Sequence, residues 1–558
     1  MDNRSIARAF LELADLMELH GENAFKIRSY RRAYQTLRNL PQPLSEMSRA
    51  QILALPGIGS AIADKIAQLL ETGQMKTLER FREMTPPGLR ELLAIKGLGP
   101  RKLRTIWYEL QITSPGELLY AIEENRLLKL RGFGKKTQDD WAKKLNYYLR
   151  SKGRFLYAVL EPAAEAVLQH LRRFYPEAPI SLAGSICRKA ISPRRITYLI
   201  GSDEIPDTLF DDELFRFLSG DEHGMEALWE GEFPVRLYFC KAEEFGSKLF
   251  LYTGDRDFVS AFAKRYPGVS FKGLAHEEEV FERANLPYIP PELREGSYFL
   301  ERIAAQKKVP ELLEWEDFKG AVHVHTTYSD GAASLRQMAE RAREMGLEYL
   351  GVSDHSRAAF YANGLQAEEV ERQQQEIDAL NAEMAPFRIF KGIECDILND
   401  GSLDYDEAVL ATFDFVIASV HSNLRMDEEQ ATRRLLKAIR HPATRILGHP
   451  TGRLLLSRPP YPLRMEELIA ACAEEGVAIE INANPYRLDL DWHWIPLALE
   501  KGVKLMVNPD AHSLEGLKDM RYGMYAARKG GLGPKDCLNC LSANDFAAWC
   551  QQKRSSGR

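Results

Sequence analysis

Ten histidine and carboxylate side chains stand where short apolar runs end in the C-terminal part of this sequence. His323-x-His325 closes the run 321–324, with Asp330 five residues further on. Asp354-His355 follows 349–353, Glu394 follows 389–393, His421 follows 415–420 and His449 follows 445–448. Asn482 closes 477–481, and Asp510-x-His512 comes just after 504–507. Imidazole and carboxylate are the ligands that zinc, manganese and iron favour. So many such groups exceed what one ion can use, so a cluster of two or three ions is expected, with Glu394 able to bridge. A lone strand histidine is usually a satisfied core residue. Placement argues otherwise here, because six of the eight histidines after residue 318 fall at run ends. His441 and His493 do not, and are read as surface or supporting residues.

The seven runs are mostly separated by helical patterns. Strand–helix alternation predicts a parallel sheet, and seven units predict a closed or nearly closed barrel. In such a barrel the carboxyl ends of all strands lie at one mouth. Residues nearly two hundred positions apart then converge. Alternation along a strand sends His323 and His325 to one side, and likewise Asp510 and His512.

The first 150 residues have a different texture. Helical spacing dominates, and a tight turn recurs: Gly57-Ile58-Gly59, Gly97-Leu98-Gly99 and Gly132-Phe133-Gly134. Each copy has an apolar residue two positions before it. A cationic helix follows each, bearing Lys65, then Arg101 and Lys102, then Lys135 and Lys136. This is the helix-hairpin-helix pattern, in which glycines let backbone amides at a helix start face a phosphate. Such contacts hold nucleic acid without reading its sequence. Charge agrees: residues 1–150 carry 25 Lys and Arg against 17 Asp and Glu, while the rest carry 49 against 63. The overall net charge of −6 hides this split. A length of 558 residues requires several cores. No stretch approaches a membrane span and no signal peptide pattern opens the chain. Seven scattered cysteines suit a reducing, cytoplasmic setting, and Cys537-x-x-Cys540 reads as two thiols rather than half a zinc site.

The run from His323 to Gly331, with Ser353-Asp354-His355-Ser356, Val420-His421-Ser422 and Asp510-Ala511-His512-Ser513, resembles the PHP (polymerase and histidinol phosphatase) family. The resemblance implies a seven-stranded barrel and up to three manganese or zinc ions hydrolysing phosphate esters. Its ligands would be His323, His325, Asp330, His355, Glu394, His421, His449, Asp510 and His512. His323, His325, Glu394 and Asp510 would share one ion and carry the chemistry most directly. Glu394, His421 and His512 would hold a second, and Asp330, His355 and His449 the third. Arg453 and Arg487 follow strand ends and are candidates for binding phosphate or for salt bridges.

Upstream, Ala183-Gly184-Ser185, Tyr252-Thr253-Gly254 and the segment 286–294 resemble the palm and thumb of family X DNA polymerases. The whole chain is thus similar to bacterial and archaeal members of that family with a C-terminal PHP domain. The resemblance places metal-binding aspartates at positions occupied by Arg195, Thr197 and Arg236. A guanidinium repels the ion it should hold, so polymerase activity is expected to be absent. The N-terminal module is similar to a deoxyribose-phosphate lyase domain. Lys65 matches its Schiff-base lysine, and Lys26 and Tyr30 its phosphate-binding pair. A neighbouring basic position is Ala61, so Lys65 is read as a DNA contact.

The implied layout is a multidomain α+β and α/β chain. A lyase-like helical domain spans 1–80, a fingers-like helix-hairpin-helix domain 81–150, and a degenerate palm and thumb 151–300. A linker (301–318) leads to the PHP domain at 319–558. The expected function is that of a monomeric DNA-repair protein acting at primer termini, gaps or single strands. It would be a 3′–5′ exonuclease, with cleavage at abasic sites as a further activity. The PHP domain is expected to work without the polymerase half, less well on long DNA. The competing readings are a non-enzymatic DNA-binding scaffold and a small-molecule phosphatase.

Overall fold

The computed structural model describes all residues except Asn39, Pro41, Lys96, Ser151, Lys152, Asp212, Glu222, His223, Gly557 and Arg558. The chain forms two compact units, Met1–Leu149 and Arg150–Arg558. Among the described residues no helix is long and apolar enough to cross a membrane.

The first unit is helical throughout. Its opening helix, Asn3–Leu19, starts where the Asp2 carboxylate accepts from the Ser5 amide, one of the donors a helix start leaves open. Ile6, Phe10, Leu13 and Met17 bury one face of it, at the spacing of a helical stripe. In each predicted turn the first glycine takes a left-handed conformation, with φ of 79° at Gly57, 99° at Gly97 and 90° at Gly132. A side chain there would be strained. The second glycine precedes a helix: Ser60–Thr72, Pro100–Leu110 or Lys135–Arg150.

The second unit begins with a five-stranded sheet: β1 (Ile180–Leu182), β2 (Ile196–Ile200), β3 (Phe215–Asp221), β4 (Gly224–Trp229) and β5 (Phe233–Phe239). Its order is β1-β2-β5-β4-β3, with only the β2–β5 pair parallel. The sequence pattern shows β1, β2 and β5 but not the β3–β4 hairpin. Six of the seven β3 residues are exposed, so no apolar alternation marks that strand. Residues 301–318, expected to be a linker, are packed instead. Their first part continues the helix Tyr298–Gln306, and Leu313 is fully buried with its amide donating to Leu532 O at 2.9 Å.

All seven predicted barrel strands form, as β6 (Gly320–Val324), β7 (Tyr349–Val352), β8 (Arg388–Asp396), β9 (Phe415–Ser419), β10 (Thr444–Leu447), β11 (Ala478–Asn482) and β12 (Leu505–Asn508). They lie in sequence order and are parallel throughout. The two edges nearly close the barrel. His325 N donates to Ala511 O at 2.9 Å and Ala511 N to His323 O at 3.2 Å. At the other end, the helix Ala543–Ser556 sets Phe546 against Tyr349, Phe390 and Phe415, among the first residues of their strands. That apolar plug leaves the carboxyl mouth as the place where polar groups collect. Cys537 is buried and Cys540 half-buried, both as free thiols.

Sheet and barrel share one core. Lys529, at the end of the barrel helix Met520–Lys529, is fully buried and donates to Arg188 O at 2.8 Å, with Glu295 at 3.1 Å. Tyr157, Lys189 and Ile191 on the palm side pack around a small cavity whose barrel wall is Pro485, Leu488, Tyr522 and Tyr525.

Candidate metal centre

The strand ends bring all nine predicted ligand groups into one cluster, eight of them buried and His421 nearly so, with a side chain 5% exposed. Glu394 is its centre. Its carboxylate lies 3.2 Å from His323 Nε2, 3.7 Å from His325 Nε2, 2.9 Å from His355 Nδ1, 3.0 Å from His421 Nε2 and 2.9 Å from His449 Nε2. Asp510 faces His323 Nε2 at 3.4 Å and His325 Nε2 at 3.2 Å. Asp330 faces His355 at 3.6 Å and His512 at 3.4 Å.

Ligand atoms gather in four overlapping groups: His323, His325 and Asp510; His323, Glu394 and His449; His355, Glu394 and His421; and His325, Asp330, His355 and His512. His323, His325 and Asp510 thus lie together, with Glu394 3.2 Å from His323 and 3.7 Å from His325. In the other two sets the atoms lie otherwise than expected: His449 is 2.9 Å from Glu394, across the mouth from β8, and His512 is 3.4 Å from Asp330, at the seam where β12 and β6 nearly meet.

The backbone is unusual at this mouth. His323 (φ 66°), Asp510 (φ 51°) and His449 (φ 22°) all adopt positive φ without being glycine. Such conformations cost roughly 1–3 kcal/mol each and concentrate where function dictates geometry. They turn side chains inward where regular strands would point some of them away.

Electrostatics describe a site built for cations. Burial, then the neighbouring imidazoles of His512 and His355, push His325 down to about 3. Burial also opposes charge on His421, yet Glu394 and Asp396 carry it up to about 10. Burial would raise Asp330, Glu394 and Asp510, but the facing histidines hold all three below the usual carboxylate range. His323 Nε2, His325 Nδ1, both nitrogens of His355, Asp330 Oδ2, Glu394 Oε2 and His449 Nδ1 are buried without a hydrogen bond of good geometry. A buried polar atom left so costs about 1–3 kcal/mol. A cluster of nitrogen and oxygen lone pairs converging in one cavity fits divalent ions of the zinc or manganese kind.

Further carboxylates support the cluster. Asp396 accepts from His421 Nδ1 at 2.7 Å, and Glu480 lies 2.6 Å from His323 Nδ1. Asp354 accepts from Thr326 N and Oγ1, both at 2.7 Å, and from Gln373 Nε2 at 2.6 Å, fixing the loop that carries Asp330. Glu480 and Asp396 were not singled out from sequence. Their signal was present: an acid inside the otherwise apolar Ala478–Asn482 strand, and a second acid two residues after Glu394. Arg487 Nε lies 3.6 Å from Asp510. Arg453 is pinned instead, donating through Nε to Arg487 O at 2.9 Å and through its other nitrogens to Asp491 and Leu488 O. It is a structural residue, which removes it from the phosphate-binding candidates.

Comparison with known proteins places this architecture. Residues 1–75 match the helix-hairpin-helix domain family, 89–146 the SAM-like helix-hairpin-helix tandem, and 321–484 the PHP domain. The chain is 36% identical over 573 residues to the DNA polymerase/3′-5′ exonuclease PolX of Bacillus subtilis, spanning 99% of this chain and 100% of that protein. The chain belongs to the family X DNA polymerases that carry a PHP domain. Its barrel region alone is 31% identical over 208 residues to a probable phosphatase of Thermoanaerobacter sp. (strain X514), covering 34% of this chain and 77% of the relative.

In the five-stranded sheet Arg195, Thr197 and Arg236 come together. β2 and β5 pair so that Thr197 and Arg236 are in register. Arg195 and Arg236 both reach Glu226, at 2.8 and 3.2 Å, and Arg236 also reaches Asp221 at 3.1 Å. Thr197 Oγ1 lies 3.3 Å from where a Cβ on Gly184 would stand, so the turn and the three positions are neighbours. The three expected metal-ligand positions thus meet in space and hold an arginine–glutamate–arginine bridge. In the family's helix-hairpin-helix modules, a Cβ added to Gly59, Gly99 or Gly134 would meet no atom within 4 Å. These glycines leave open surface beside a helix start. Lys65 Nζ stands 5.9 Å from the Tyr30 ring centre, while Lys26 is exposed.

Proposed function

We propose that this chain is a DNA-binding repair protein whose barrel hydrolyses phosphodiesters from 3′ ends, and that its palm no longer extends primers. The observation carrying this reading is the nine-group cluster around Glu394, joined in one chain to three open glycine turns. Manganese or zinc bound in the cluster would supply an activated water at neutral pH and charge relief on the phosphate and leaving oxygens. His323, His325, Glu394 and Asp510 would hold one ion, Glu394 with His421 and His449 a second, and Asp330 with His355 and His512 the third. Asp396 accepts the Nδ1 proton of His421 and so leaves Nε2 facing Glu394. Arg487 sits beside Asp510, where a guanidinium can orient a substrate phosphate.

Gly57, Gly59, Gly97, Gly99, Gly132 and Gly134, with Lys26, Tyr30 and Lys65, form the proposed DNA grip. Lys65 is assigned a backbone contact rather than lyase chemistry. Binding by residues 1–149 is expected to be nearly sequence-independent and to weaken on the order of tenfold or more between low and physiological salt. Fluorescence anisotropy on two unrelated duplexes at several salt concentrations measures this, and a flat response rules it out.

The function itself is tested by giving the full chain, with manganese, a single-stranded oligonucleotide bearing a 3′ hydroxyl and, separately, p-nitrophenyl phosphate. Stepwise shortening from the 3′ end is the expected result. Hydrolysis of the monoester alone would favour a small-molecule phosphatase. Inertness on both, with DNA binding intact, would return the scaffold reading.

A further inference from the structure

Glu480 is a fully buried carboxylate in the middle of β11, and its surroundings leave little freedom in how it is bonded. Oε1 accepts from the His449 backbone amide at 3.1 Å and from Asn482 Nδ2 at 2.9 Å. Oε2 accepts from Asn508 Nδ2 at 2.9 Å and lies 2.6 Å from His323 Nδ1. The first three partners are amide N–H groups, which can only donate. Three accepted N–H bonds leave one lone pair, directed at the imidazole, and an ionised carboxylate can only accept there, so we read the fourth contact as an N–H donated by the imidazole. His323 Nδ1 therefore carries the proton, and its Nε2 presents a lone pair toward Glu394 and Asp510, 3.2 and 3.4 Å away.

The same carboxylate ties together three strand ends. It grips His323 near the end of β6, the His449 backbone after β10 and Asn508 at the end of β12. Asn482 in turn donates to Asp510 Oδ2 at 2.9 Å. Two of the positive-φ residues, His323 and His449, are bonded to it directly and the third, Asp510, through Asn482.

We infer that Glu480 is a positioning residue for the barrel's chemistry: it fixes the tautomer and aim of His323 and, through His449 and Asn482, the spacing of the ion-holding groups. The inference rests on the metal-binding reading above. A carboxylate behind a ligand histidine commonly sets metal affinity by 10–100-fold. Glu480→Gln keeps the shape of the side chain but replaces one acceptor oxygen with a donor NH2. That amide competes with the surrounding donors and favours the wrong His323 tautomer.

The test uses the full chain stripped with chelator and titrated with manganese in a calorimeter, the wild type beside Glu480→Gln. Bound ions per chain are counted after dialysis. The expected result is a variant with an unchanged far-ultraviolet spectrum that binds at least one ion about 10–100-fold more weakly. Equal stoichiometry and affinity in the two proteins would overturn the inference while leaving the metal reading intact. A wild type that takes up no ion overturns both. Because Glu480→Gln can also fail to fold, a second measurement uses the wild type alone. Loaded with diamagnetic zinc and labelled with 15N-histidine, His323 should show a slowly exchanging proton on Nδ1 and a coordinated Nε2, assigned by comparison with His323→Gln. A coordinated Nδ1 would overturn the inference.

Discussion

Replacing His323 and His325 together by alanine is expected to lower 3′-end hydrolysis by at least roughly a thousandfold. The two imidazoles face Asp510 at 3.4 and 3.2 Å and Glu394 at 3.2 and 3.7 Å, so their loss strips one corner of the cluster of both its nitrogen donors. Losing a catalytic ion typically forfeits several kcal/mol of transition-state stabilisation, and about 4 kcal/mol is a thousandfold in rate. The double variant should also bind fewer manganese ions per chain. Its affinity for DNA should stay within about twofold of the parent, because the proposed grip lies in the separate unit Met1–Leu149 and obeys salt-dependent phosphate binding instead. Circular dichroism guards against misfolding, since the substitution leaves Glu480 without its imidazole partner. Degradation at the parent rate would show that the chemistry lies elsewhere.

The same double variant provides a background in which newly added nucleotides are not removed, and so permits the second large effect to be measured. Gapped DNA, four deoxynucleotides and either magnesium or manganese should give no extension above a protein-free control. Arg195 and Arg236 close on Glu226 at positions where the resemblance implies carboxylates, and Thr197 offers a neutral hydroxyl. Two guanidiniums near an unfilled divalent site add repulsion to the missing ligands. The expected deficit is at least three orders of magnitude against an active family member assayed in parallel. Template-directed extension that persists in the double variant and disappears on substituting Gly184 would overturn the reading of the palm.

Much of this molecule is legible in the sequence, for identifiable reasons. The seven barrel strands are short, apolar and buried on both faces, so each stands out as a run, and the residue closing each run announces the mouth. The glycine turns are visible because only glycine tolerates the φ they need. Two things stayed hidden. The β3–β4 hairpin is mostly exposed along β3, and an exposed edge strand carries no alternation to detect. Which carboxylates His449 and His512 lie against depends on how the barrel curves and closes, not on spacing along the chain. Glu480 and Asp396 escaped because neither closes an apolar run: each stands behind a histidine, at the Nδ1 of His323 or of His421.

The burial of Lys529 beneath the palm bears on how this protein can change over time. A domain whose chemistry is gone would ordinarily be free to drift or be discarded. Here the wall of the palm that holds Arg188 and Lys189 is also a wall of the barrel's own packing, and deleting it would leave a buried ammonium and a row of tyrosines facing water. On the reading proposed above, selection on hydrolysis alone would preserve the palm's scaffold. The second compact unit begins near residue 150, so a piece cut near residue 319 is expected to lose part of the packing it shares with the palm.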